Sequence, residues 1–264
     1  MNPAIEFRSV TFTTPRGRTL LDGISFVIEE GTTTAVLGRS GSGKTTLLRT
    51  VNHMVQPTAG DVLVNNRSAL AADPISLRRG IGYVIQETGL FPHFTVARNV
   101  ALVPEISGQP HKERNQRSHE LLRAVGLDPK TYAARYPHQL SGGQRQRVGL
   151  ARALAADPSI LLMDEPFGAL DPLTRAEMQD MLRDLLGRLK KTVLLVTHDL
   201  DEALYLADHI VLLAEGRLVA HLKAADFLAS PHPDVQAYVR AFHRVEKSEA
   251  KTENRPAQGG EARQ

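Results

Sequence analysis

The segment Gly38-Arg39-Ser40-Gly41-Ser42-Gly43-Lys44-Thr45 constrains this chain more than any other part of it. An apolar, strand-like run precedes it at Thr33–Leu37, and a helix-forming stretch, Lys44–Asn52, follows. Strand, glycine-rich loop and helix in that order are the context a phosphate-binding loop needs. Glycines let the backbone wrap closely around phosphates, so several N–H groups point inward, and the helix adds its positive N-terminal end. Lys44 then reaches the β- and γ-phosphates, and the Thr45 hydroxyl ligates Mg²⁺. Gly38 to Gly43, with Thr46, complete the expected ATP-binding set. A glycine-rich turn that merely resembles this pattern is the alternative, and both flanks argue against it.

The rest of the chain reads as an α/β fold. Strand character appears from Ala4 to Phe12 and at Ile24–Ile28, Val62–Val64 and Gly82–Ile85. Buried strands resume at Ile160–Met163, Val193–Val196 and Ile210–Leu213, separated by helices. Such alternation predicts a mainly parallel, covered sheet, with the early strands forming an antiparallel β edge. Between Glu87 and Pro158 the character turns helical, which predicts an inserted α-helical subdomain over about 87–158. Asp171-Pro172 opens a helix, as N-cap and first residue, whose apolar stripe is Met178, Met181, Leu182, Leu185 and Leu189. The cassette is expected to span 1–243. The stretch 244–264 mixes charges with almost no apolar residues and is expected to be a disordered tail.

Composition excludes several classes. In 264 residues, 42% hydrophobic and 23% charged, no apolar run approaches the roughly 20 residues of a membrane helix. No signal peptide is visible, and the absence of cysteine removes any disulfide framework. Basic and acidic residues nearly balance, 32 against 29, so a mixed, solvated surface is expected rather than a nucleic-acid interface. A cytoplasmic protein is the natural reading.

Two further motifs carry chemistry. Ile160-Leu161-Leu162-Met163-Asp164-Glu165 is an apolar strand ending in two carboxylates. Asp164 suits Mg²⁺ and Glu165 suits a general base that polarises the attacking water. Leu140-Ser141-Gly142-Gly143-Gln144 places an N-cap serine and two glycines at a helix start, creating a second anion site. One chain does not need two such sites for one γ-phosphate, but two chains arranged head to tail do.

Here the sequence resembles the ABC ATPase family, whose signature is that pentapeptide, and the likeness runs from about Ile5 to Val219. The resemblance implies a P-loop cassette that binds ATP and Mg²⁺ and forms a homodimer on ATP binding. Ser141, Gly142, Gly143 and Gln144 would serve the partner's nucleotide. It implies that Gln86 is the Q-loop glutamine, sensing Mg²⁺ and the water. It implies that Ala169-Leu170-Asp171 is the D-loop against the opposite subunit, and that His198 contacts the γ-phosphate. Gln86, Glu165 and His198 are thus the expected catalytic residues, and Thr45, Gln86 and Asp164 the expected metal contacts.

One position departs from the family: Thr14 stands where an aromatic usually stacks on adenine. Phe12 is the nearest aromatic, and strand alternation leaves both the base and the core open to it. The stretch Ile81–Val96, with Asn52–Gly60, is similar to importers of glycine betaine, choline and related quaternary amines. That resemblance implies a separate permease docking near Gln86–Phe94, an extracytoplasmic solute-binding protein, and a place on the cytoplasmic face of the inner membrane. About 45 residues follow Val219, so regulation through appended domains, as in several osmoprotectant ATPases, is not expected here. A lipid-transport cassette stays open as an alternative. A soluble ABC protein acting on DNA or ribosomes lacks its coiled-coil insertion or second cassette here. A P-loop kinase leaves Leu140–Gln144 unexplained.

Overall fold

The computed structural model describes residues 3–242. β1 (Pro3–Thr13) and β2 (Thr19–Glu29) form an antiparallel hairpin. β1 also pairs with β4 (Ala59–Val64), which pairs in turn with β5 (Arg67–Ser68). A second sheet contains β3 (Thr33–Leu37), β6 (Ile81–Val84), β7 (Ile160–Asp164), β8 (Thr192–Val196), β9 (His209–Ala214) and β10 (Arg217–Lys223). Its spatial order is β10-β9-β3-β8-β7-β6, parallel throughout except for the antiparallel edge strand β10.

Every residue of β3, β7 and β8 is buried, because both faces of the central sheet are covered. Alternate side chains serve opposite faces, as the two-residue period of a strand requires. Leu162, Leu194, Val196 and Val36 pack with β1, β2 and α1 (Lys44–Val51), in a core that includes Phe7, Ile24 and Leu47. Leu161, Met163, Val193 and Leu195 face the other way, toward helices. Ala35, Leu37, Ile210 and Leu212 pack under α8 (Leu200–Leu206), α9 (Ala224–Phe227) and a helical segment at 233–242. Each fully buried Leu or Ile contributes roughly 1.5–3 kcal/mol.

α2 (Pro74–Arg79) leads into β6. Between β6 and β7 lie α3 (Val96–Ile106), α4 (His111–Ala124), α5 (Pro129–Tyr132), a 3₁₀ turn (Pro137–Gln139) and α6 (Gly142–Ala153). Val96, Val100, Leu121, Leu122 and Val148 join them to the sheet. α7 (Pro172–Leu189) begins at the expected cap, with the Asp171 carboxylate accepting from the Thr174 amide.

Two differences from the sequence reading have physical causes. Met178, Leu182 and Leu185 are buried, but Leu189 is 38% exposed, since α7 ends at Lys190 in a left-handed conformation (φ 48°). β10 had no signal because an edge strand with half-exposed residues lacks clean alternation. Phe12, half-buried, packs against the core, the side that strand alternation had left open to it. The expected tail at 244–264 lies outside the described residues. Among the described residues no helix is long and apolar enough to cross a membrane.

Candidate nucleotide site

The sheet order places the functional loops side by side. β3, β8, β7 and β6 are consecutive neighbours and run parallel, so their carboxyl ends share one edge. Residues following those ends are Gly38, His198, Glu165 and Gln86, each within two positions of a strand's last residue. Crevices beyond such strand ends are where open α/β sheets bind ligands.

The loop from Gly38 to Gly43 rises from β3 into α1. Gly43 caps α1 at φ 101°, and a Cβ there would stand 2.5 Å from the Leu20 carbonyl oxygen, so only glycine fits. Arg39, Ser40 and Gly41 are exposed, while Gly38, Ser42 and Lys44 are buried. Lys44 Nζ donates to the Gly38 carbonyl at 2.8 Å and the Arg39 carbonyl at 3.1 Å. Burial lowers the pKa of this ammonium, and the nearby Glu165 and Asp164 carboxylates oppose that shift. Among the described residues the buried Ser42 hydroxyl oxygen has no hydrogen-bond partner, and buried polar groups usually have one. Thr46 lies half-buried on the first turn of α1.

Asp164 ends β7, 2% exposed. Its Oδ1 accepts from the Thr45 hydroxyl at 2.8 Å. Its Oδ2 lies 3.5 Å from the Tyr83 hydroxyl and 3.7 Å from the Arg49 guanidinium. Hydroxyl and carboxylate oxygens together are the hard donors Mg²⁺ prefers. Among the described residues no group of three or more His, Cys, Asp or Glu side chains could hold a metal.

Glu165 adopts φ 45°, left-handed for a non-glycine residue, a costly conformation of the kind that clusters at functional sites. Its amide donates to the Val196 carbonyl at 2.9 Å, fixing it to the end of β8. Glu165 Oε2 accepts from Gln86 Nε2 at 3.4 Å and lies 3.4 Å from His198 Nδ1. Residues 86, 165 and 198, distant in sequence, thus converge on one carboxylate oxygen.

Ser141–Gln144 does not join that cluster: among the described residues no hydrogen bond or ion pair links it to 38–46. Ser141 and Gln144 form a reciprocal capping box, Ser141 Oγ accepting from the Gln144 amide at 3.3 Å and Gln144 Oε1 from the Ser141 amide at 3.0 Å. Ser141 and Gly142 are exposed, whereas Gly143 is buried beside Thr174 of α7. Asp171 is likewise exposed and serves as the α7 cap. Thr14 accepts through its Oγ1 from the Arg18 amide at 3.1 Å, closing the β1–β2 hairpin.

Sequence reading missed the side chains that hold these loops. Gln146 Nε2 donates to the Pro166 carbonyl at 2.6 Å, tying α6 to the loop after Glu165. Arg152 donates to the Thr88 and Gly89 carbonyls, each at 2.7 Å, tying α6 to the segment after Gln86. Asn99, fully buried, accepts from the Phe91 amide and donates to the carbonyls of Phe91, Phe94 and Thr95. It shapes a largely exposed cluster in which His93 meets Phe91 and Phe94 edge to face, the two phenyl rings lie tilted at 32° with centroids 5.2 Å apart, and Arg98 covers Phe94 at 3.9 Å. The one available signal was an amide inside the apolar stripe Val96–Val100.

Comparison with known proteins agrees with this geometry. The family described as ABC transporter matches residues 21–168. A choline transport ATP-binding protein of Bacillus subtilis is 44% identical over 227 residues, covering 86% of this chain and 59% of the relative. A glycine betaine uptake system ATP-binding protein of Escherichia coli is 44% identical over 222 residues, covering 84% and 71%. This chain spans about three-fifths of the length of the first of these. The dimeric ATP-binding cassette MJ0796, in a post-hydrolysis state with ADP and Pi, superposes with a TM-score of 0.75 at 35% identity. That match covers 83% of this chain and 98% of the cassette. The chain belongs to the ABC transporter family, as one of its ATP-binding cassettes.

Proposed function

We propose that this chain is the ATP-hydrolysing subunit of an importer of quaternary-amine osmoprotectants such as glycine betaine and choline. The observation that carries the hydrolytic part is the convergence of Gln86 and His198 on Glu165, beside the loop that buries Lys44. Glu165 acts as general base toward a water, Gln86 orients that water, and His198 meets the γ-phosphate. Lys44 and the inward-facing amides of Gly38–Gly43 hold the phosphate chain, with Arg39, Ser40, Ser42 and Thr46 lining it. Thr45, Gln86 and Asp164 would hold Mg²⁺, which would supply charge neutralisation on phosphate oxygens. Catalysis is then mostly positioning and electrostatics.

Ser141, Gly142, Gly143 and Gln144 cap the nucleotide of a second copy, with Asp171 at the same interface. Support comes from the exposed capping box, its separation from 38–46 in the same chain, and the dimeric MJ0796 cassette. The permease docks at the aromatic cluster near Gln86–Phe94, on the cytoplasmic face of the membrane, and an extracytoplasmic solute-binding protein delivers cargo. The cassette comprises 1–243, with 87–158 as its helical subdomain.

Cargo is the part supported by relatives alone. Uptake of labelled choline and glycine betaine at high osmolarity, in cells with and without this gene, tests it. Loss on deletion, restored by the wild type and not by Lys44→Ala, is the expected result. Unchanged uptake, with redundant carriers removed, refutes the osmoprotectant assignment and directs the same assay to lipid or other solutes.

A further inference from the structure

Tyr238 lies in the helical segment 233–242, 40 residues along the chain from His198, the last of the motif residues described above. Val235 and Val239 on that segment are buried against Leu200, Phe227 and Leu212, with Tyr238 half-buried among them. Its hydroxyl leaves this apolar setting to donate to the main-chain carbonyl of His198 at 3.1 Å. Burial pushes the phenol up to about 12, and the Gly38 backbone, which favours the phenolate, offsets part of that shift. The group is therefore a hydrogen-bond donor at any physiological pH. On the loop side, Tyr238 and Asp234 face Arg39, Ser40 and Ser42 across a cavity of about 340 Å³. One side chain thus borders the phosphate loop and grips the residue that carries the imidazole.

The need for such a grip is visible in the local backbone. His198 lies two residues beyond the end of β8, its side chain is 61% exposed, and its side-chain contact among the described residues is Glu165 Oε2 at 3.4 Å. Neighbouring restraints act on other residues: the Thr197 amide donates to the Val36 carbonyl at 3.2 Å, and the Asp199 amide to Thr197 Oγ1 at 3.1 Å. The carbonyl of His198 itself depends on Tyr238.

We propose that Tyr238 is a positioning residue of the nucleotide site, fixing the His198 main chain so that its imidazole stays at Glu165. This rests on the hydrolytic reading above. Tyr238→Phe removes the hydroxyl and keeps the ring. In the full-length chain we expect a kcat for ATP about 3- to 10-fold lower, with KM within twofold and Tm within a few degrees of the wild type. Hydrogen exchange should accelerate several-fold in peptides covering 197–202 and stay unchanged over β3 and β9. A tyrosine that merely fills the core gives the opposite pattern: kcat unchanged, or Tm and exchange altered across the whole cluster around Phe227. Either of those results, or unaltered exchange at 197–202, overturns the proposal. The wild type compared with Lys44→Ala tests hydrolysis separately. Should those two be equally inactive, the ATPase reading fails, and the exchange data still decide whether Tyr238 holds His198.

Discussion

Gly143→Ala isolates what packing demands of the Ser141–Gln144 motif. An ideal Cβ at 143 would stand 2.5 Å from Thr174 Cγ2 and 3.9 Å from Thr174 Cβ. Carbon atoms in comfortable contact are about 3.5–4.0 Å apart, so roughly 1 Å must be found. Thr174 offers little give, because it is β-branched, on the first turn of α7, with its amide bonded to Asp171 at 3.1 Å. The strain therefore passes to the separation of α6 and α7, and overpacking of this kind costs about 1–3 kcal/mol. At roughly 2–4 °C per kcal/mol for a domain of this size, Tm should fall by about 2–12 °C in a calorimetric scan. Thr174→Ala removes the opposing methyl, so the double variant should regain most of the loss. A Gly143→Ala protein as stable as the wild type, or a double variant no better than the single, refutes the reasoning. ATPase rates of the double variant then report what a methyl does at this site once the clash is gone.

Other perturbations probe other parts. Glu165→Gln keeps the shape of the Gln86–His198 cluster and removes the base, so ATP turnover should fall by 100-fold or more while an ATP-bound dimer accumulates in gel filtration; wild-type turnover would exclude Glu165 as the base. Asn99→Leu leaves the Phe94 carbonyl without its donor and the Phe91 amide without its acceptor, while the Phe91 and Thr95 carbonyls keep the Phe94 and Asn99 amides; at about 1–3 kcal/mol for the first orphaned group, it should reduce coupled uptake far more than ATPase activity. Equal losses of the two would remove the aromatic cluster from the coupling role. His221 lies on the edge strand β10 with its residue exposed, and partial desolvation of the ring first, then His209, lowers its pKa below the usual 6.5, with Glu29 opposing. Its neutral form is favoured by folding, so the associated stability is full above pH 6.5 and is lost as pH falls through the lowered folded value. Urea midpoints at pH 8 and pH 5 should fall further for the wild type than for His221→Gln; parallel falls would show that His221 contributes nothing to the slope.

The central sheet was legible because β3, β7 and β8 are buried on both faces and read as short apolar runs between breakers. Some elements with one wet face were legible too, such as β1 and α7, but the short or weakly patterned ones were not. β10 alternates weakly, α2 has no buried residue, and α8 is only seven residues long, too short for a periodic signal. The candidate site was legible as separate motifs but not as a place. Along the chain the loops run 38, 86, 165, 198, whereas across the sheet the strands that carry them run β3, β8, β7, β6. That permutation comes from inserting β3 between β8 and β9, and nothing in five buried apolar runs says which neighbours which.

A second kind of information was absent for a different reason. Phosphate loops and paired carboxylates announce themselves because their chemistry restricts residue type and spacing. Gln146, Arg152, Asn99 and Tyr238 act instead on main-chain carbonyls, at Pro166, Thr88 and Gly89, Phe91 to Thr95, and His198. Every residue carries a carbonyl, so the accepting side of such a bond leaves no mark on the sequence. The donor side is an ordinary polar residue on a helix. Yet each bond fixes a loop that a motif names, and one bond to a loop backbone moves every side chain that loop carries. Substitutions at these donors should therefore alter activity without touching any motif, and a survey restricted to the motifs would count them as silent.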